Sequence, residues 1–429
     1  MINNTNGMKI YKGNIIYTIS PDKFTAINNG YIIIMNGKVK EVVGKLTKDY
    51  DGVAIEDFGD KLIIPGMNDL HFHAPQYRNI GIGMDKELIP WLNSYTFPEE
   101  SKFKELSYAE SVYKKVIKEI WKHGTTRISV FSTIHKEATK LLIDLFSASG
   151  LSAFIGKVNM DRNSSEFLTE ITEQSLEDTE EIIKYCESKT NLIRPIITPR
   201  FVPSCSSKLM AGLGKLAEKY SLPVQSHLSE NTDEISWVKQ LYPNSKSYGH
   251  VYNEFRLFGQ TPTLMAHCIY SSDEEIELIK NNNVMVVHCP ISNVNIGSGI
   301  MPCRKYLDAG IPVALGTDVS GGSSYSIIKT IAYAIQLSKL YWVQSNKTSP
   351  FLSTSEAFYL ATKSGGSFFG KVGSFEADYS FDALVIDDSN LGNSNYSIEE
   401  RLERFIYLGD ERNIVSRYVE GQLVPEPVF

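Results

Sequence analysis

His71 and His73 stand two residues apart in LHFHAPQY, after an apolar run, Leu62-Ile63-Ile64, and a Pro65-Gly66 pair. In an extended segment, residues two apart project from the same face, so the two imidazoles converge. Two neutral imidazoles from one strand end make half of a first-row metal site. Taken alone, so short a motif more often means one core histidine and one solvent-facing histidine at a bend. Three further stretches reverse that reading: His227-Leu228-Ser229-Glu230, His267 in MAHC, and Gly316-Thr317-Asp318. The chain holds 8 histidines, and half of them, His71, His73, His227 and His267, fall in these stretches and in LHFHAPQY. Three imidazoles and one carboxylate supply four ligands and leave a position open for water. A metal there lowers the pKa of bound water toward ~7. Asp318 can ligate and also accept the water proton. Glu230, three residues after His227, falls on the same side and is poised to shuttle a proton to substrate.

These residues need elements to carry them. From Leu62 the chain repeats strand, loop, helix. The strand candidates are LIIPGMNDLHFH, TTRISVF (125–131), SAFIGKVNM (152–160), LIRPIITPR (192–200), PVQSHLSE (223–230), TLMAHCIY (263–270), VMVVHCPIS (284–292) and PVALGTD (312–318). Helix-period segments lie between them, such as YAESVYKKVIKEIWKHG, closed by Gly124, and SSDEEIELIKNN, with serine at the cap and acids in the first turn. Eight β-α units over roughly 250–300 residues match a (β/α)₈ barrel. A doubly wound sheet would ask for G-x-G-x-x-G after its first strand, and none follows. Barrel chemistry sits at the carboxyl ends of the strands, where the histidines and Asp318 fall. Strand four ends Thr198-Pro199-Arg200, with no lysine to be carboxylated as a bridge between two metals. One metal is therefore expected, with His267 as a hydrogen-bond partner of the attacking water rather than a ligand. Residues 8–64 read as short alternating strands with Asn-Gly and Gly turns, too few to stand alone. Strand pattern returns after Gly370 at 380–387 and 412–425. The expected fold is α/β: a (β/α)₈ barrel over 65–370 beside a small composite β-sandwich built from 1–64 and 371–429.

Composition narrows the partners. The 429 residues are 42% hydrophobic and 22% charged with a net charge of -7, and no Lys/Arg run exceeds a pair. Nucleic acid, which needs a basic footprint, is excluded as the main partner. The 5 cysteines are widely spaced with no C-x-x-C, as expected of reduced thiols in a cytoplasmic protein. The start lacks a charged-then-apolar leader, and no apolar run approaches the ~18 residues of a membrane span.

PGMNDLHFHAPQY, SHLSEN, MAHC, HCPISN and GTDVSGGSSYS together resemble the amidohydrolase superfamily in its single-metal deaminase branch. Within it, HAPQYRNIGIGMDKELIPWLNSYTFPEE, GKVNMD (156–161), TPRFVPSCS (198–206) and FIYLGDERNI (405–414) are similar to the guanine deaminase family. The resemblance implies the barrel with its composite β-sandwich, one zinc ion per chain, hydrolysis of guanine to xanthine and ammonia, and a homodimer. It implies that His71, His73, His227 and Asp318 hold zinc and that Glu230 and His267 are acid/base partners. It also implies that Gln76 and Arg200 hydrogen-bond guanine, with Phe201 beside them. Ile291 and Cys268 depart from the family's usual small residues, at positions that ligate nothing. The rivals are a hydrolase of another nitrogen heterocycle on the same scaffold, discriminated by Gln76 with Arg200, and a non-enzymatic scaffold, which would lose ligands. A cytidine-deaminase-type enzyme is excluded by the lack of H-x-E with P-C-x-x-C.

The remaining features read as support. The long loop at 74–103, with Trp91, Tyr95 and Phe97, suits a water-excluding lid or a small core on the barrel rim. His123 suits a helix end, His135 a rim, and His250 the surface. Cys268 and Cys289, each next to a histidine along a strand, are expected to be buried and inert.

Overall fold

Pro65 and Gly66 divide the apolar strand expected to run from Leu62 to His73. A computed structural model describes residues 7–392 and 395–429. In it β1 (Met8–Ser20), β2 (Lys23–Met35), β3 (Lys38–Val43) and β4 (Ile55–Pro65) share one sheet, whereas β5 (Met67–His73) begins another. Leu62–Ile64 therefore belong to the first sheet and not to the barrel. Proline offers no N–H to continue the ladder. The Gly66 N–H turns to the Asp382 carbonyl and the Met67 N–H to the Gly124 carbonyl, so neighbouring residues have partners in different layers. A Cβ at position 66 would stand 2.2 Å from the Thr126 hydroxyl, and only glycine fits.

The barrel continues with β6 (Thr125–Phe131), β7 (Ser152–Gly156), β8 (Val158–Asn159), β9 (Ile193–Pro195), β10 (Thr198–Pro199), β11 (Val224–Leu228), β12 (Thr263–His267), β13 (Met285–His288) and β14 (Val313–Leu315). Two parallel arcs, β5-β6-β7-β9 and β11-β12-β13-β14, are joined by a bridge from Ile197 to Val224 and flanked by the β8–β10 pair. At the other seam the Asp318 N–H bonds the His71 carbonyl at 2.9 Å and the His73 N–H bonds Val319 at 3.3 Å. All eight expected strand positions are occupied, the third and fourth each split in two. Between them run helices such as Leu106–Lys122, which buries Ala109, Val112, Val116 and Ile120 at helical spacing. Leu70, Phe154, Leu264, Ala266, Val287 and Ala314 fill the barrel interior.

The tail supplies β15 (Ala383–Ile386), β16 (Ile414–Val419) and β17 (Gln422–Leu423), giving the order β17-β16-β15-β4-β1-β2-β3. The β2–β3 hairpin turns at Asn36-Gly37, both left-handed, as its Asn-Gly pair demands. The Val39 N–H bonds the Tyr379 carbonyl, and the Phe381 N–H bonds Gly37, each at 2.8 Å. The two ends of this sheet thus meet around Tyr11, Ile15, Ile34, Phe381 and Tyr418. Arg127 of β6 clamps the buried Asp382 through two hydrogen bonds of 2.6 and 3.2 Å, tying sheet to barrel.

The segment after β5 is a stack of short pieces rather than an open loop: a 3-10 stretch Ala74–Asn79, then Leu88–Trp91, Leu92–Thr96, Phe97–Glu100 and Ser101–Lys104. Leu88, Trp91, Leu92 and Phe97 pack on Phe131, Val158, Met160 and Ile296, capping the barrel mouth. Among the described residues no helix is long and apolar enough to cross a membrane.

Candidate active site

At the carboxyl end of β5 the His71 and His73 Nε2 atoms lie 3.3 Å apart, and His227, on β11, brings its Nε2 to 3.2 Å from that of His73. Asp318, in the turn after β14, places Oδ1 3.3 Å from His71 Nε2 and 3.5 Å from His73 Nε2. Ligands at about 2.0–2.1 Å around a tetrahedral metal stand about 3.3–3.4 Å from one another, and these four donor pairs, at 3.2–3.5 Å, match that spacing. Their chemistry fits as well. The His227 Nδ1–H donates to the Arg200 carbonyl at 2.6 Å, leaving Nε2 as a lone pair facing the other imidazoles. Among the described residues two triads could hold a metal ion, His71-His73-His227 and His71-His267-Asp318, and both use His71.

Burial, then neighbouring imidazoles, hold His73 and His227 well below the usual histidine range, and burial lowers His71 against the pull of Asp318. All three are neutral donors. Burial alone would raise Asp318, but His71 and the other imidazoles keep it well below the usual carboxylate range. Glu230 is the opposite case. Burial, then the charge of Asp318, push it well above the usual carboxylate range, which favours its protonated form. Two carboxyl groups in one pocket are thereby split into an anion and an acid.

The backbone that aims these groups is bent. Ser229, His267, Cys268 and Asp318 are all in the left-handed region, a conformation that costs of order 1–3 kcal/mol per residue and persists where surroundings enforce it. After Glu230 the chain turns at once into Thr232–Leu241, started by an Asn231–Glu234 capping box. Glu234 also accepts from the Glu230 N–H at 3.1 Å, fixing the backbone of the acid. Gly316 allows the last strand to approach β5, since a Cβ there would come within 2.8 Å of the His71 Cβ. The His267 Nδ1–H donates to the Asn293 side-chain oxygen at 2.8 Å, and its Nε2 stands 3.5 Å from Glu230 and 3.8 Å from Asp318.

The cluster opens into a cleft of about 420 Å³ lined by His73, His227, Glu230, His267 and Asp318, and by Gln76, Arg200, Phe201, Trp91 and Ile296. Every residue expected at the site thus lies in or against one cleft, His71 just behind its lining. Gln76 comes from the 3-10 stretch after β5; Arg200 and Phe201 directly follow β10. Arg200 sits 5.1 Å over the Phe97 ring and donates to Glu100 at 2.5 Å.

Sequence reasoning missed Glu100 and Asn293. The double acid ending TFPEE and the asparagine of HCPISN were the signals for them. His250, expected at the surface, is half-buried and bonded to the Ser247 hydroxyl. His135 lines a separate cleft with Lys136 and Glu170. Cys268 and Cys289 are buried thiols, but only Cys268 joins the outer core with Tyr306, while Cys289 lies inside the barrel.

The amidohydrolase family model matches residues 62–424. The chain is 42% identical to a guanine deaminase of Dictyostelium discoideum over 97% of its own length and 98% of the relative's. It is 32% identical to the guanine deaminase of Escherichia coli, over 93% and 92%. Among solved structures, guanine deaminase from C. acetobutylicum, with guanine bound in its active site, superposes with a TM-score of 0.96 at 60% identity, covering 97% of this chain and 100% of that one. A donor set of three imidazoles and a carboxylate at the mouth of a (β/α)₈ barrel, with likeness over nearly the whole length, assigns the chain to the amidohydrolase family, among its guanine deaminases.

Proposed function

We propose that the protein hydrolyses guanine to xanthine and ammonia using one zinc ion per chain, held by His71, His73, His227 and Asp318. The observation that carries this reading is a single cleft with the imidazole–carboxylate cluster on one wall and Gln76 and Arg200 on another. Relatives named for the reaction support it, as does the guanine in the C. acetobutylicum structure. When bound, zinc lowers the pKa of a water toward ~7 and so supplies the nucleophile. Arg200 donates to the 6-oxo group and Gln76 to a ring nitrogen, turning C2 and its amino group toward Glu230. Phe201 lies beside the ring. Asp318 takes the proton of the attacking water, and His267 accepts a hydrogen bond from it through Nε2. Glu230 gives its proton to the ring nitrogen beside C2; Asp318 hands the proton taken from the water to the amine, which leaves as ammonia, and the new C2 hydroxyl returns its proton to Glu230 as the 2-oxo group forms. Arg200 stabilises charge pushed onto the 6-oxo oxygen. Adenine lacks that oxygen and would leave the cleft-facing N–H groups of Arg200 unpaired, so the site rejects it.

The test is ammonia release by the zinc-loaded protein offered guanine, adenine, guanosine, pterin and a triazine in parallel. Release from guanine, abolished by Glu230→Ala and weakened by Arg200→Ala, supports the reaction and the substrate. Turnover of another ring with silence on guanine keeps the chemistry and sinks the substrate. Silence on all would return the scaffold reading. We also read residues 65–370 as the unit that carries the chemistry, and 1–64 with 371–429 as a separate composite domain. Five buried free cysteines suit a cytoplasmic enzyme. The expected homodimer is checked by light scattering.

A further inference from the structure

Glu100 is outside the cleft lining, only 1% exposed, at the end of the short helix Phe97–Glu100. Both of its carboxylate oxygens are engaged. Oε1 accepts from Gln76 Nε2 at 2.9 Å and Oε2 from Arg200 Nη1 at 2.5 Å. On its other side the Gln76 Oε1 accepts from the Ser320 backbone N–H at 3.1 Å and from its hydroxyl at 3.4 Å. A carboxylate can only accept and a backbone N–H can only donate, so the Gln76 amide has one permitted orientation. Its oxygen is spent on Ser320, and what remains for the cleft is its second N–H. Arg200 has donors alone.

We propose that Glu100 is the positioning residue that sets substrate choice: it locks Gln76 and Arg200 into a donor-only pair. Such a pair reads a ring presenting two acceptors, an oxo group and a bare nitrogen. It leaves its own N–H groups unpaired against a ring that presents a donor or a C–H there. The inference rests on the proposed role of Gln76 and Arg200 in holding guanine. Glu100 touches no reacting atom; it acts through the two side chains it holds.

Glu100→Gln tests this, because it replaces one acceptor oxygen by an NH₂ group. Whichever way the new amide turns, either Arg200 or Gln76 meets a donor where it met an oxygen. Steady-state kinetics would be measured on zinc-loaded wild type, Glu100→Gln and Glu100→Asp, with guanine and with 2-aminopurine, which keeps the reacting amino group but lacks the 6-oxo oxygen. In Glu100→Gln the KM for guanine rises about tenfold or more with a smaller change in kcat, and the kcat/KM preference for guanine over 2-aminopurine falls about tenfold. Glu100→Asp keeps both acceptors on a shorter arm and recovers part of the preference. A purely structural Glu100 would lower both substrates together and leave their ratio at the wild-type value, and that result overturns the proposal. Should Glu100→Gln fail to fold, Glu100→Asp decides: a reduced ratio supports positioning, and an unchanged ratio with a lowered Tm overturns it. Silence of the wild-type enzyme on guanine is seen before any variant is made, and would overturn the underlying substrate reading as a distinct outcome.

Discussion

His71, His73, His227 and His267 ride on strands whose ladder hydrogen bonds run to the histidine itself or to its neighbour. Gln76, Arg200 and Glu100 sit in turns and short helices beyond those ladders, held by side-chain bonds to one another. The first group cannot shift without unpicking the barrel, whereas the second can be re-set by exchanging one side chain. Reaction chemistry is thus anchored in backbone and substrate choice in a small polar network, the division expected where one scaffold serves many rings. Arg200 spans both halves: its carbonyl orients His227 while its guanidinium meets Glu100.

The largest effect is expected at the barrel-anchored half, to which Asp318 is tied by its N–H bond to the His71 carbonyl. Asp318→Ala should lower kcat/KM by about 10⁴-fold, with zinc content falling in parallel by elemental analysis. Full activity in that variant would break the division. Glu230→Gln should cost about 10³-fold in kcat while zinc content stays at the wild-type level, which separates proton delivery from metal binding. Arg200→Lys should lower kcat/KM about 100-fold, mostly through KM, again with zinc unchanged, since the His227 contact is to the backbone carbonyl. Loss of zinc there would mean the two halves are one. The last effect is a slope. Burial raises Glu234 from 4.5 to about 7. Its protonated form is favoured in the folded state, so its contribution to stability is full below pH 4.5 and is lost as pH rises through 7. Glu234→Gln should remove that slope, about 3 kcal/mol across the window, read as the difference between the two proteins in urea unfolding at stepped pH.

What was legible in the sequence follows the same line. The barrel strands are short apolar runs between turn signals, and histidine spacing at their ends is local information. The expected domain boundary fell at 64/65, beside the observed break, yet the strand itself read as continuous from Leu62 to His73, because an apolar run keeps its pattern when its neighbours change from one sheet to another. The cap over the mouth read as a loop because pieces of four to six residues are too short to display a helical period. Glu100 was missed for a different reason: its partners lie 24 and 100 residues away, and since both acids of TFPEE are buried, nothing in the motif says which one meets Gln76 and Arg200. Asn293 stood inside a quoted motif, yet its duty toward His267 depends on a contact 26 residues distant.

The antiparallel pairing of β15 with β4, Ala383 opposite Pro65, sets an order on synthesis. β4 is among the first strands to leave the ribosome, and the neighbour that covers one of its edges is made only after the last barrel strand. Through that interval β4 presents a row of unpaired backbone groups, the kind of edge on which chains pair wrongly. A product ending before Ala383 would keep every histidine of the cluster and every barrel strand, yet precipitate through that edge.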